Sequence, residues 1–375
     1  ACSAMSNPYE AACVDANLRP RKNIIEAYEE AASQGVETGL ELKCSGRMLG
    51  EGRMLDVDMK LLAEAMLKAH PFERLDLSFN ELGSESGGSL KRLLEGDTRL
   101  RSLDLTSNSL TPAPCKEIFK GLEKNSALRE LRLSSNQLGD EAGMQLAELL
   151  QVNDTLQRLH LANCDLKMPS LVGLATVLQQ NTAVTVLDVQ RSLVSSPMEE
   201  HVEHFGRLLA ASHTLQELDL SKCHVSDRGL LMLASALRKA GANSALRALR
   251  LRANQIRLVD EGAIDVLGLL LSSEECALQS LDLSANNLRD EGALVLAEMV
   301  QDNSSLTGLS LAHNSINSRG LCALAHGVAI NRSLQSMTLW GNRFDSAACL
   351  AWTSPALARL ELDFRTQEVD GTFMP

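Results

Sequence analysis

The chain has 375 residues, 45% hydrophobic but only 3% aromatic, so it can bury a large core that must be mostly aliphatic. Its formal net charge of -12 argues against nucleic acid and anionic membrane as general partners, since both select a basic face. No apolar run approaches the roughly 18 residues of a membrane span, and the first residues carry no signal-peptide core.

From the N-terminus, "NPYEAACVDANLRPRKNIIEAYEEA" predicts a short helix, a turn at Pro20 and a longer helix. Residues 1–38 are expected to form a helical cap over an open apolar edge, because stacked repeats need one. "RPRK" at 19–22 is too short for a nuclear signal. The first residue is not Met, so the expectation is a processed chain or a fragment.

Residues 39–362 repeat one pattern. "LRELRLSSNQL" fits LxxLxLxxNxL with Leu128, Leu131, Leu133, Asn136 and Leu138. Ten full copies start at Phe72, Leu100, Leu128, Leu156, Val184, Leu215, Leu246, Leu278, Leu306 and Leu334. Degenerate ends flank them at Leu40/Leu42 and Leu357/Leu360/Leu362. The second motif position recurs every 28 residues from Leu75 to Leu187, then after 31, 31 and 32, then after 28 again. In one unit the alternation sends Leu131 and Leu133 inward and Glu130, Arg132 and Ser134 outward. Asn136 sits where the chain turns out of the strand, and its amide can satisfy unpaired backbone groups. Cys164, Ser192 and Cys223 take that place in three copies, and the two cysteines are read as structural. A helix follows each turn, with Asp140, Asp260 and Asp290 as N-caps and Glu141, Glu261 and Glu291 favouring the helix dipole. The expected fold is one α/β solenoid, a horseshoe with a parallel concave sheet and helices on the convex side. Residues 363–375 are expected to be a tail.

Units of about 28 residues reading LxxLxLxxNxLxxxGxxxLxxxLxxxxxL resemble the ribonuclease-inhibitor class of leucine-rich repeats. That resemblance covers residues 40–362, and it implies an intracellular, non-enzymatic protein-binding domain. The three spacings of 31 or 32 depart from the inhibitor's own 28/29 alternation. In the N-terminal piece, Tyr9, Cys13, Leu18, Pro20, Ile25 and Ala27 resemble the lead-in of leucine-rich repeat-containing proteins of cilia and nucleoli. The Ran GTPase activators share the repeat type but end in a long acidic segment; this chain ends "LELDFRTQEVDGTFMP".

The sequence holds no GxGxxG after a strand, no GxxxxGK[ST], no GxSxG and no HExxH. His201 and His204 share a predicted helix face, but no third ligand is evident, and an exposed polar face accounts for them. The nine cysteines are scattered without metal spacing, which predicts reduced thiols in cytosol or nucleus. No cofactor and no metal are expected. Asn153, Asn303 and Asn331 match the glycosylation triplet, in loops that are rich in such letters anyway.

The concave face is the candidate site. Outward strand positions include Asp76, Asp104, Arg132, His160, Asp188, Asp219, Arg250, Arg252 and Trp340. Asp76 and Asp104 are expected on adjacent rungs, as are Asp188 and Asp219, and like charges there cost stability unless something screens them. Arg250 and Arg252, read as one strand's outward pair, make a basic spot, and Trp340 should face outward as an anchor. Trp352 reads as core of the C-terminal end. The expected function is a protein-docking scaffold whose partners carry basic patches, cytoplasmic and part of a cytoskeletal or ciliary assembly. A Ran-type GTPase activator and a soluble enzyme inhibitor are the alternatives.

Overall fold

The computed structural model describes residues 7–34, 39–47, 52–194, 196, 198–365, 367–369 and 372–374. Cys2 lies outside them. The repeats fall into two units, one up to Ser192 and one from Leu193 on. Among the described residues, the first unit carries the strands β1 (Glu41–Lys43), β2 (Arg74–Asp76), β3 (Ser102–Asp104), β4 (Glu130–Arg132), β5 (Arg158–His160) and β6 (Val186–Asp188), each parallel to the next. The second carries β7 (Glu217–Asp219), β8 (Ala248–Arg250), β9 (Ser280–Asp282), β10 (Gly308–Ser310), β11 (Ser336–Thr338) and β12 (Glu361–Leu362), paired the same way.

Helices alternate with these strands. In the first unit α1 (Pro8–Asp15) and α2 (Lys22–Gln34) come first, then α3 (Asp56–Lys68), α4 (Ser86–Gly96), α5 (Pro112–Lys124), α6 (Gly139–Leu150) and α7 (Met168–Val177). The second has α8 (Glu200–Ala211), α9 (Asp227–Ala240), α10 (Glu261–Leu271), α11 (Arg289–Asp302), α12 (Ser318–Ile330) and α13 (Ser346–Trp352). Within each unit, from α3 on, each helix packs on the next and each strand on the next, so each unit is an α/β leucine-rich repeat solenoid built of two layers. The core between the layers is the motif itself: Leu75, Leu77, Leu103, Leu105, Leu131 and Leu133 are all buried.

The strands pair over three residues, and the backbone ladder then continues into the turn, as in Leu77 N to Asp104 O (2.8 Å) and Phe79 N to Thr106 O (2.8 Å). Here the chain must reverse, and the residue before each asparagine takes a left-handed φ. Phe79, Ser107, Ser135, Ala253, Ala285 and His313 all lie between +54° and +59°. The asparagine holds that strained turn. Asn136 Nδ2 donates to its own Leu133 carbonyl (2.8 Å) and to Leu105 of the preceding repeat (2.9 Å), while its Oδ1 accepts Leu110 N–H (3.1 Å). Asn80, Asn108, Asn286, Asn314 and Asn342 repeat the pattern. Cys164 keeps one part of it, with Sγ donating to Leu133 O at 3.1 Å.

A second asparagine series runs where the helices end. Asn125, Asn153 and Asn181 in the first unit donate to Leu94, Leu122 and Leu150 carbonyls, and Asn303 and Asn331 in the second to Leu271 and Val300, all at 2.7–2.9 Å. These amides satisfy the orphan carbonyls of the preceding helix. The glycosylation triplets at Asn153, Asn303 and Asn331 are therefore structural, with their side chains buried. In the first unit Asp97 holds the equivalent place and cannot donate, so buried His70 bonds its carboxylate instead.

The helix starts differ from the sequence reading. Asp140 and Asp290 lie inside the first turns of α6 and α11, and they serve the following repeat rather than capping their own helix. Asp140 Oδ1 accepts from Lys167 N (3.0 Å) and Ser170 Oγ (2.7 Å), and Asp290 Oδ1 accepts from Asn317 N (2.8 Å). Asp260 does cap its own helix, accepting Ala263 N–H at 2.9 Å. Asp227 is the fullest case: its buried carboxylate accepts the N–H groups of Arg257, Leu258, Val259 and Asp260. At the C-terminal end, where the sequence predicts a tail, Gln367–Val369 and Thr372–Met374 pair antiparallel. The Asp-Gly letters between them are a hairpin signal in the sequence.

Burial alone would raise the Asp227 pKa, but the backbone donors hold it below its ordinary value. A depressed folded pKa contributes stability that is present above the unfolded value of about 3.9 and is lost as pH falls. Asp227→Ala should therefore cost about 2 kcal/mol at pH 7, the range of a charged hydrogen-bonded cap. Urea melts should show that difference shrinking at pH 3; a pH-independent difference would mean that the carboxylate's charge plays no part.

Candidate functional site

On the first unit's strand face the charges are arranged around Glu130. Its side chain is outward by alternation yet only 6% exposed, because neighbours on both flanking strands cover it. Arg132 Nη2 lies 2.6 Å and Arg132 Nε 2.9 Å from Oε1, and Arg158 Nη2 lies 3.3 Å from Oε2. Ser102 Oγ donates to Oε2 at 3.0 Å. His160 sits between two carboxylates, with Nε2 3.4 Å from Glu130 Oε1 and Nδ1 3.8 Å from Asp188 Oδ2. At those lengths they are ion pairs rather than hydrogen bonds.

His160, then Arg132 and Arg158, hold the Glu130 carboxyl well below the usual carboxylate range, against its burial. Asp188 first and Glu130 second raise the His160 imidazole above its ordinary value, against burial and Arg132. Arg132 and His160 are thus engaged within the unit. Glu130 is the member the sequence reading did not single out, although Arg132, Arg158 and His160 on the same and next rungs were the signal for it.

The acidic positions share a structural job. Asp76 accepts Ser78 N–H (2.9 Å), Asp104 accepts Thr106 N–H (2.8 Å) and Asp188 accepts Gln190 N–H (3.0 Å) in the first unit. Asp219 accepts Ser221 N–H and Asp282 accepts Ser284 N–H, both at 2.8 Å, in the second. Each uses one carboxylate oxygen to hold the strand's exit turn. Asp76 and Asp104 do stand opposite each other on adjacent strands. Their backbone bonds give them a reason to be aspartates apart from any partner.

In the second unit, Arg250 Nη1 pairs with Glu217 Oε2 at 2.8 Å. The strand ends at Arg250, so Arg252 lies in the turn beyond it rather than on the strand. It is exposed, and its carbonyl accepts Lys222 N–H at 2.9 Å. Trp340 is also in a turn and is 57% exposed. Its backbone is fixed, N–H to Asp363 Oδ2 (3.0 Å) and carbonyl to His313 N (2.9 Å). Trp352 is buried, with Nε1 donating to Leu321 O at 3.1 Å and its ring edge-on to Phe364. His201 is not on an exposed face: it is 1% exposed and its Nε2 bonds the Cys223 carbonyl at 2.9 Å. Burial lowers its pKa, so it is a neutral core histidine. The eight described cysteines are free, and burial pushes the Cys115 and Cys164 thiols up to about 12. Among the described residues no helix is long and apolar enough to cross a membrane.

Asp188→Asn and Glu130→Gln should each lower the His160 pKa, followed through its imidazole carbon-bound proton by NMR. The raised folded value means that His160 contributes stability that is fully present below its unfolded value of about 6.5 and is lost as pH rises from there through the folded value. An unmoved pKa in both variants would place its partners elsewhere.

The family described as Leucine Rich repeat matches residues 68–91, 124–147, 211–234, 276–297 and 302–325. The chain carries leucine-rich repeats, and domains of this kind generally mediate protein–protein interaction. No curated protein matches the sequence. Among solved structures the chain is similar to a tropomodulin C-terminal domain of Caenorhabditis elegans, at 17% identity, covering 42% of this chain and 92% of that one with a TM-score of 0.34. It is also similar to an internalin of Listeria monocytogenes, at 16% identity, covering 98% and 100% with a TM-score of 0.46.

Proposed function

We propose that this chain is a non-enzymatic protein-binding scaffold whose contact surface is the strand face and its turn edge. The observation that carries the reading is Trp340, a large aromatic left 57% exposed on a backbone fixed by two hydrogen bonds. A rigid exposed Trp with an exposed Arg in the same row is the composition of an interface anchor. Asp76 and Asp104, adjacent and half-buried, add negative charge to the first unit's face, which suits partners with basic patches. We also infer a cytoplasmic setting within a ciliary axonemal assembly; its support is the resemblance of the lead-in residues Tyr9 to Ala27.

The test compares positions one residue apart. Arg252→Ala and Arg250→Ala should each change stability by no more than about 0.5 kcal/mol, since both side chains are exposed. Leu251→Ala, fully buried, should cost about 2–5 kcal/mol through the cavity it leaves. In binding, Arg252→Ala and Trp340→Ala should each cost about 2 kcal/mol or more against partners identified by crosslinking mass spectrometry in the native extract. Outward variants that melt normally and keep every partner would remove this face from consideration. Stimulated GTP hydrolysis by a Ran-type GTPase would replace the scaffold reading with the activator one.

A further inference from the structure

We infer that the row from Arg252 to Trp340 is a docking channel for an extended peptide that presents a carboxylate side chain and, about four residues away, an apolar one. The inference rests on the scaffold reading and adds the partner's chemistry.

The two ends are linked by one continuous backbone ladder. Ala253 N bonds Ser284 O (2.8 Å), Ala285 N bonds Ala312 O (2.7 Å) and His313 N bonds Trp340 O (2.9 Å). Three rungs of about 4.8 Å put Arg252 and Trp340 roughly 14 Å apart. An extended chain advances about 3.3–3.6 Å per residue, so it covers that distance in about four residues. Between the ends the row holds only Ser284 and Ala312, both buried, and the neighbouring strand positions hold Asp282, Ser310 and Thr338, all half-buried, with the Asp282 carboxylate accepting the Ser284 N–H. No long side chain of this row stands in the way of a main chain crossing there.

Charge gives the channel its direction. Among the described residues Arg252 has no ion-pair partner, whereas Arg250 beside it is held by Glu217. An unpaired guanidinium on a chain of net charge -12 is free to donate to a partner's carboxylate in the bidentate geometry that Arg favours. At the other end Asp363 accepts the Trp340 backbone N–H, so an acidic residue placed there would meet a like charge. The Trp340 ring instead offers apolar surface, with the His313 ring lying against Gly341 beside it. Gly341 holds φ at +79°, and any Cβ there would strike that ring.

The chain has two tryptophans, and Trp352 is buried, so Trp352→Phe leaves Trp340 as the sole tryptophan, excited apart from the two tyrosines at the red edge of the absorption band. Should that variant fail to fold, the difference between the unaltered chain and Trp340→Phe isolates the same signal. The probes are capped Ser/Gly decapeptides carrying Glu and Leu four residues apart, in both orders, with Gln/Leu and Glu/Ser controls. The Glu/Leu peptide should shift Trp340 emission to the blue and saturate. Gln for Glu should weaken it about tenfold, the effect of losing one charge-assisted contact. Arg252→Gln should abolish the preference for Glu over Gln. Three results overturn the inference: no saturable response at millimolar peptide, equal response to Glu and Gln, or a shift that follows protein concentration alone, which would make a second copy the occupant. If no peptide binds while Arg252→Ala and Trp340→Ala still lose crosslinked partners, the scaffold reading survives and this motif falls. If neither variant loses a partner, both fall.

Discussion

The amide of a single asparagine, set where each strand turns outward, is the constraint on which the repeat depends. A residue at φ near +55° precedes it, and the turn leaves backbone groups of two repeats facing one another in a place closed to water. One carboxamide donates twice and accepts at its oxygen, so it satisfies carbonyls of its own and the preceding repeat and an N–H of the preceding one. An unpaired buried group there would cost about 1–3 kcal/mol. The asparagine is therefore a bond between repeats as much as a feature of one.

The same economy governs both ends of the helices. At their ends a second asparagine series ties helix carbonyls to the following repeat, and at their starts an acid reaches forward to the following turn. These turn and helix-end groups, which a lone repeat would leave unpaired, are answered by a neighbour. That is why no unit of this kind is stable alone, and why stability accrues by nearest-neighbour addition. The cap-like helix starts and the glycosylation triplets are by-products of this cross-repeat pairing, whereas the turn-holding aspartates act within their own repeat.

That physics also explains what the sequence could and could not reveal. Leu131, Leu133 and Asn136 act through periodicity, which any single copy displays, so strand positions and their parallel order were legible. Asp140 looked like an N-cap because its letters fit the local rule, but its partner is 27 residues away, at Lys167. Local spacing cannot carry that information. Glu130 was legible as outward and illegible as buried, since burial came from Arg132, Arg158 and Ser102 gathering over it. Arg252 was assigned to the strand because alternation continues past it; the strand's end is fixed instead by the turn and by pairing with β9. His201 was read from its helix face, and only the fold could bring the Cys223 carbonyl to it.

The two strand faces then differ in a way that bears on recognition. In the first unit the cations surround one carboxylate, and the face has largely answered its own charge before any partner arrives. With Glu130 buried and its cations partly exposed, these pairs fix side chains that would otherwise lose entropy on binding. In the second unit Arg250 is answered by Glu217, while Arg252 and Trp340 stand on fixed backbones with no comparable neighbour contact among the described residues. Pre-organisation without self-satisfaction is the combination that favours a partner: the anchor's ordering cost has already been met by the fold, and its interaction remains to be made. The face that looks less elaborate is accordingly the one with more to gain from contact.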